Sequence, residues 1–449
     1  MKKLAPRVAL LLAAFVATAS ANGRPAGTSS IHFRQGMERE IAAGLTFGLV
    51  ISKDDGATWH WICEDAIKYA GVYDPIYTYT SSGALFATTF DGALVNRNDC
   101  AFENTALGAG VFASTMQQGP DGAVYMAVSQ PQNPPGDAGD AKIYRSTDNG
   151  LTFPVSANPG QVGDWWDSIF VAPSNPQRVY LTGYRLNSGD PRVQLLFRSN
   201  DGGATYTPMG TTGLAFSNDS TIDVVGVDKM NPDIVYAQVD FLTPGVVGEA
   251  IFKSTDGGAT WAKIFEKGSG LVFLARASGE LVAASQSEGL YRAAAGTTTF
   301  TEVVGAPHIN CLAEKATGEV WACTQNFGAP GVPADGAGIM KSSDLTTWSN
   351  VLVYQDIQGP VACEVGTLQR DACVDKEVSG STNWCTLRRQ LGIAADPTCC
   401  APLGDEPVPA CLAVPEEPGC CDTSGTGAKT GLLASLFVGS LLLRKRRRA

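Results

Sequence analysis

Asp164-Trp165-Trp166-Asp167 is the stretch of this 449-residue sequence whose residue types, set this close together, could do chemistry. Exposed tryptophan rings stack on the apolar faces of sugars, and neighbouring carboxylates bind hydroxyls. Asp164, Trp165, Trp166 and Asp167 therefore form a candidate ligand-binding set, although large aromatics also fill gaps between packed sheets. Asp219 and Asp223 precede a matching apolar run further along the chain. With Asp167 they could bring carboxylates from two neighbouring units together, and paired carboxylates hydrolyse glycosides when suitably separated. Aspartate is also an ordinary loop residue, so the pattern alone does not make a site. His308 could act as a general base, but a lone histidine ahead of a strand is more often a hydrogen-bonded structural group. No P-loop, dinucleotide-binding glycine pattern or Ser-His-Asp set is present, and no cofactor is expected.

The scaffold that must position these residues is a repeat. Ser254-Thr-Asp-Gly-Gly-Ala-Thr-Trp261 has clear copies at 52–59, 146–153 and 199–206, and degraded ones beginning at 96, 293 and 342. The seven starts are spaced by a mean of about 48 residues, a period that signals a solenoid, propeller or array. Within each copy the aspartate (Asp54, Asp148, Asp201, Asp256 and, in a degraded copy, Asp344) can accept hydrogen bonds from backbone N–H groups. Glycine supplies the positive φ of a tight turn, and the closing aromatic starts a new strand. Flanking runs such as Ala250-Ile-Phe252 and Trp261 to Phe265 are strand-like, so each copy reads as a hairpin with a polar tip.

These octapeptides resemble the Asp-box, or BNR, repeats of sialidases, sortilin-type receptors, xyloglucanases and photosystem assembly factors. The resemblance covers roughly residues 30 to 355 and implies a seven-bladed all-β propeller in which the box is a structural turn away from the active face. A sialidase of this group would add an arginine triad, a tyrosine nucleophile and a Phe/Tyr-Arg-Ile-Pro motif, whereas here Phe33-Arg34 is followed by Gln35-Gly36. Xyloglucanases of this group use two tandem propellers, and this chain has residues for one.

If the box joins a blade's third and fourth strands, strand alternation sorts every other loop onto one of two faces. The Asn-Pro turns at 175–176 and 231–232 share the box face. The segments 129–140, 185–192, 240–249 and 324–338 fall on the opposite face and read as long loops, which usually carry function.

The two ends of the chain have their own logic. Lys2-Lys3, a short apolar run and Ala17 to Ala21 form a secretory signal expected to be cut after Ala21. At the other end, Gly431 to Leu443 is too short for a comfortable membrane span and is followed by Arg444 to Arg448. Together with Cys420-Cys421 this tail resembles the myxobacterial C-terminal sorting signal, which implies membrane engagement before processing and then display at the surface of a bacterial cell. A short transmembrane anchor is the alternative reading. The formal charge is −11; the signal carries +3 and the tail from Lys429 +6, leaving −20 between. Such an acidic surface excludes nucleic-acid binding.

An exported chain favours disulfides. Cys63 with Cys100, in neighbouring blades, and Cys311 with Cys323, on adjacent strands, are the expected pairs, while the remaining eight cysteines crowd the last ninety residues with unreadable connectivity. No metal site is expected, since no histidine follows His308 and C-x₂-C spacings are absent. The expected organisation is a signal at 1–21, a propeller at 22–358, a Cys-rich module at 359–400, a Pro/Glu-rich stalk at 401–425 and the sorting tail at 426–449. The leading expectation is a monomeric, surface-displayed module binding a glycan or protein through its loop-rich face, with a sialidase-like or xyloglucanase-like glycoside hydrolase as the alternative.

Overall fold

The computed structural model describes residues 20–21, 24–69, 73–129, 141–186, 192–217, 219–243, 246–329, 331–374 and 383–393. The signal, the stalk and the sorting tail therefore lie outside or almost wholly outside the described residues, as do Cys399, Cys400, Cys411, Cys420 and Cys421. No helix among the described residues is long and apolar enough to cross a membrane.

Seven antiparallel sheets follow one another along the chain, each filled by consecutive strands, with the first strand of each innermost. The inner strands are Thr28–Phe33, Tyr77–Tyr79, Ala113–Gln118, Asp164–Val171, Ile222–Val227, Leu271–Ala275 and Cys311–Glu314. They stand next to one another in order, and the last meets the first, so the ring closes. This is the seven-bladed propeller that the resemblance of the repeats implies. Second strands such as Val124–Val128 and Leu281–Ser285 are buried on both sides, because each blade is covered by the next. The cores accordingly lie between blades: Trp166 and Ile169 of blade four pack with Tyr125 and Ile143 of blade three, and Val282 and Leu290 of blade six with Val320 and Ala322 of blade seven.

The repeated octapeptide folds the same way in its clear copies. In blade five Ser254 Oγ donates to Asp256 Oδ1 at 2.7 Å and accepts from the Gly258 amide at 2.9 Å, while Thr260 gives its amide and its hydroxyl to the two Asp256 oxygens. Asp54, Asp148 and Asp201 repeat these contacts, and Asp344 keeps most of them. Gly257 and Gly258 have φ of 68° and 88°, which a side chain would strain. Carbonyls left open by the turn are taken by an arginine of the preceding blade: Arg198 reaches Gly257, Arg97 reaches Asn149 and Gly150, and Arg292 reaches Asp344. In blade two the turn survives on Asn96, whose Oδ1 accepts from the amides of Asn98 and Asp99.

The ring is not closed by exchanging a strand between the first and last blades. Beyond blade seven the chain returns over blade one, where Gly359–Pro360 adds a fifth strand, parallel to His60–Ile62. A helix at Leu368–Cys373 follows, with Gln369 Nε2 donating to the Trp61 carbonyl at 2.8 Å. Disulfides Cys63–Cys373 and Cys100–Cys363 fix this segment to blades one and two, and Cys311–Cys323 staples the first hairpin of blade seven. The expected Cys63–Cys100 bridge is thus corrected: both residues pair with the C-terminal segment instead. That segment passes over blade one's outer strand and brings partners whose position no repeat spacing encodes.

A second correction concerns 240–249. Instead of a loop, Val235–Thr243 and Val246–Ser254 form a long two-stranded arm pairing from Val235 with Ser254 to Thr243 with Val246. The arm puts Asp240 and Glu249 opposite each other on paired strands, so both become fixed groups.

Candidate functional site

Blade four supplies the first acid. Trp166 pairs with Gly183 and Ser168 with Thr182, so Asp167 is the extra residue of a β-bulge and has no partner in the ladder. Bulges turn a side chain out of the regular alternation and are common beside active sites. Asp223 lies on the neighbouring inner strand, where Ser168 Oγ accepts from the Val224 amide at 2.8 Å and ties the two strands together. Both carboxylates are half-buried, and Asp167 Oδ2 and Asp223 Oδ1 are sealed from solvent without a hydrogen-bond partner.

The electrostatics follow from that burial. Desolvation is the main cause raising Asp167 to about 8, with the Asp223 and Asp240 charges adding to it and Arg192 opposing it. Desolvation likewise raises Asp223 to about 7, helped by Asp240 and Glu249. At neutral pH the pair therefore holds a proton that two ordinary aspartates would have released. The outlying acids are already occupied: Asp240 accepts from the Thr221 amide, and Glu249 from the amides of Gly270 and Leu271 and from Gln238 Nε2.

The remaining sequence candidates separate. Asp164 is buried in a two-pronged ion pair with Arg185, which donates through Nε and through Nη2 at 2.8 Å, and it also caps the Gln161 amide. Trp166 is wholly buried, its Nε1 donating to the Ala141 carbonyl at 2.9 Å, so this ring serves packing. Asp219 contributes its backbone carbonyl to Arg192. His308, on the link into blade seven, holds Asp335 Oδ1 through Nδ1 at 2.8 Å, and Asp335 also accepts from the Gln325 amide. Among the described residues no group of three or more His, Cys, Asp or Glu is arranged to hold a metal ion.

Trp165 belongs to a feature that the sequence reading missed. Its ring lies 5.5 Å from Phe112, which stacks on Phe90 at 5.1 Å, which in turn meets Tyr73 edge-on at 4.5 Å. This ridge runs across blades two to four on the loop-rich face, and Phe90 is 61% exposed. Phe90 sits at a turn between second and third strands and Phe112 on a link between blades, two positions that strand alternation assigns to that face. Weighing aromatics at every such position, and not only at a Trp pair, would have found them.

Parts of the chain are similar to several proteins named xyloglucanases. One from Paenibacillus sp. is 31% identical over 159 residues, covering 31% of this chain and 15% of that protein. Xyloglucanase Xgh74A of Acetivibrio thermocellus is 28% identical over 230 residues, covering 49% of this chain and 23% of that protein. The chain thus spans less than a quarter of the length of either relative. Among solved structures, an ancestral GH74 enzyme superposes with a TM-score of 0.51 at 12% identity over 72% of this chain and 46% of that one, a likeness of fold. No protein-family profile matches the chain.

Proposed function

We propose that the loop-rich face cleaves a glycosidic bond in a neutral glycan, with Asp167 as the general acid and Asp223 as the partner carboxylate. The observation that carries this reading is the bulged, unpartnered Asp167 beside Asp223 on strands joined through Ser168. Glycoside hydrolysis requires one carboxyl that keeps its proton and one that is ionised near it. With Asp167 at about 8 and Asp223 at about 7, both conditions are met together between those values. Asp167 gives its proton to the leaving oxygen, and the negative charge on Asp223 stabilises the cationic sugar or activates water. Asp240 and Glu249 keep the local field negative, which suits a neutral substrate and disfavours an anionic one. The partial match to two proteins named xyloglucanases supports a glycan of that kind.

The ridge from Trp165 to Tyr73 supports a second reading, retention of a glycan without cleavage, because it offers exposed apolar surface independent of the acids. We further propose that the octapeptides are Asp-box turns and that the protein is exported and, through its C-terminal sorting tail, displayed at a bacterial surface.

The test is release of reducing ends from xyloglucan and related neutral polysaccharides. Turnover lost in both Asp167→Asn and Asp223→Asn supports cleavage. Retention of the polymer without turnover in the unaltered chain, weakened by Phe90→Ala, supports the second reading and overturns the first.

A further inference from the structure

Arg192 immediately precedes the third strand of blade four, Val193–Ser199, and its side chain crosses to the neighbouring blade. Nη1 donates to the carbonyl oxygens of Asp219 at 3.2 Å and Ser220 at 3.4 Å, which lead into the strand carrying Asp223. The guanidinium lies over the Tyr184 ring, 3.9 Å from its centroid, and its Nε is shielded from solvent without a partner. Gln194 Nε2 adds a third contact to the same link, donating to the Ser220 carbonyl at 2.7 Å. The other arginine at this end of the blade, Arg185, is taken up by Asp164. Arg192 is therefore the cation whose charge opposes the carboxylates of Asp223 and Asp240 at Asp167; Asp240 and Glu249 act in turn on Asp223.

We propose that Arg192 is a positioning residue that clamps the start of blade five onto blade four, holding the two carboxylates in register and supplying the positive charge against which Asp167 ionises. Its use in catalysis rests on the glycosidase reading; the clamp itself does not. A planar fork stacked on an aromatic ring is suited to this task because the ring holds its plane fixed, so that Nη1 alone reaches both carbonyls while the charge stays delocalised. Removing the charge raises the proton affinity of Asp167 without touching the reacting atoms, since an opposite charge nearby favours the ionised carboxylate.

The experiment follows Asp167 directly in the full chain labelled with carboxyl-¹³C aspartate, its resonance assigned by its loss in Asp167→Asn. In Arg192→Gln the ratio of ionised to protonated Asp167 at pH 8 is expected to fall roughly tenfold, and Arg192→Lys is expected to restore much of it. Hydrogen exchange at the Ser220 and Thr221 amides is expected to quicken in both variants, since neither retains the fork. An Asp167 titration unchanged in Arg192→Gln overturns the electrostatic half of the proposal. Should that variant fail to fold, unaltered amide exchange in Arg192→Lys overturns the clamp. A shifted titration in a protein that cleaves no glycan leaves the clamp standing and removes only the hydrolase reading.

Discussion

Asp256 and Asp167 carry the same carboxylate on two ends of the same kind of blade, and their surroundings treat it in opposite ways. At the octapeptide turn Asp256 is open to water yet surrounded by donors: the Thr260 hydroxyl and amide, the Ser254 hydroxyl and the Ala259 amide hold it well below the ordinary carboxylate range. Asp148 and Asp344 are held low in the same way. On the other face Asp167 lacks such donors and is pushed up to about 8 by burial and by its acidic neighbours. The first arrangement uses charge to fix a turn. The second keeps a proton where an ordinary aspartate would have lost it, and a buried acid perturbed in that way is a candidate for a functional site.

The largest expected effect separates the two ends by activity. Asp167→Asn is expected to lower glycan turnover by about 10²-fold or more, while Asp256→Asn leaves turnover intact and lowers the melting temperature. Parallel assays of reducing-end release and thermal unfolding on both proteins read this crossing. If Asp256→Asn proves as inactive as Asp167→Asn, the division between the faces fails.

Next in size is the buried hydroxyl at the root of the turn. Ser254→Ala leaves the Gly258 amide without its acceptor and is expected to cost about 1–3 kcal/mol in denaturant unfolding, with no change in turnover.

The pH dependence of stability should show both ends at once. Asp167 and Asp223, raised above their unfolded values, hold protons that the unfolded chain has released, so their contribution is full below the ordinary carboxylate range. It declines as pH rises from about 4 to about 8. The aspartates of the octapeptide turns, held below their unfolded values, contribute above the ordinary carboxylate range and lose that contribution as pH falls toward their folded values. Melting curves of the Asp167→Asn/Asp223→Asn double variant should lose the decline on the alkaline side and keep the acid one; an unchanged alkaline limb would count against burial as the cause. The smallest expected effect is that of Phe90→Ala, which should weaken polymer retention by roughly 1 kcal/mol, measured by affinity electrophoresis, and leave the pH profile of turnover where it was.

The sequence was most legible where the structure is repetitive. Ser254 to Trp261 and its relatives count the blades and assign the faces, because the turn is made by local contacts within eight residues. Asp167 and Asp223 could be named as neighbours by the same alternation. Their environment could not, since it depends on a one-residue bulge at Asp167, on Arg192 crossing between blades, and on a hairpin arm that carries Asp240 and Glu249 where a loop was expected. Cys63 and Cys100 were equally opaque, because their partners are more than 260 residues away.

Those partners bear on the order in which the molecule can be made. Among the described residues six blades end in a fourth strand with one open side, whereas blade one's fourth strand, His60–Ile62, is covered by Gly359–Pro360. A chain folding from its N-terminus as it emerges on export can therefore form blades two to seven while blade one still has a bare strand edge and Cys63, with Cys100 of blade two, still lacks its partner. The earliest blade to be synthesised is the last to be finished, and a chain cut short before residue 359 would keep that edge exposed to its neighbours.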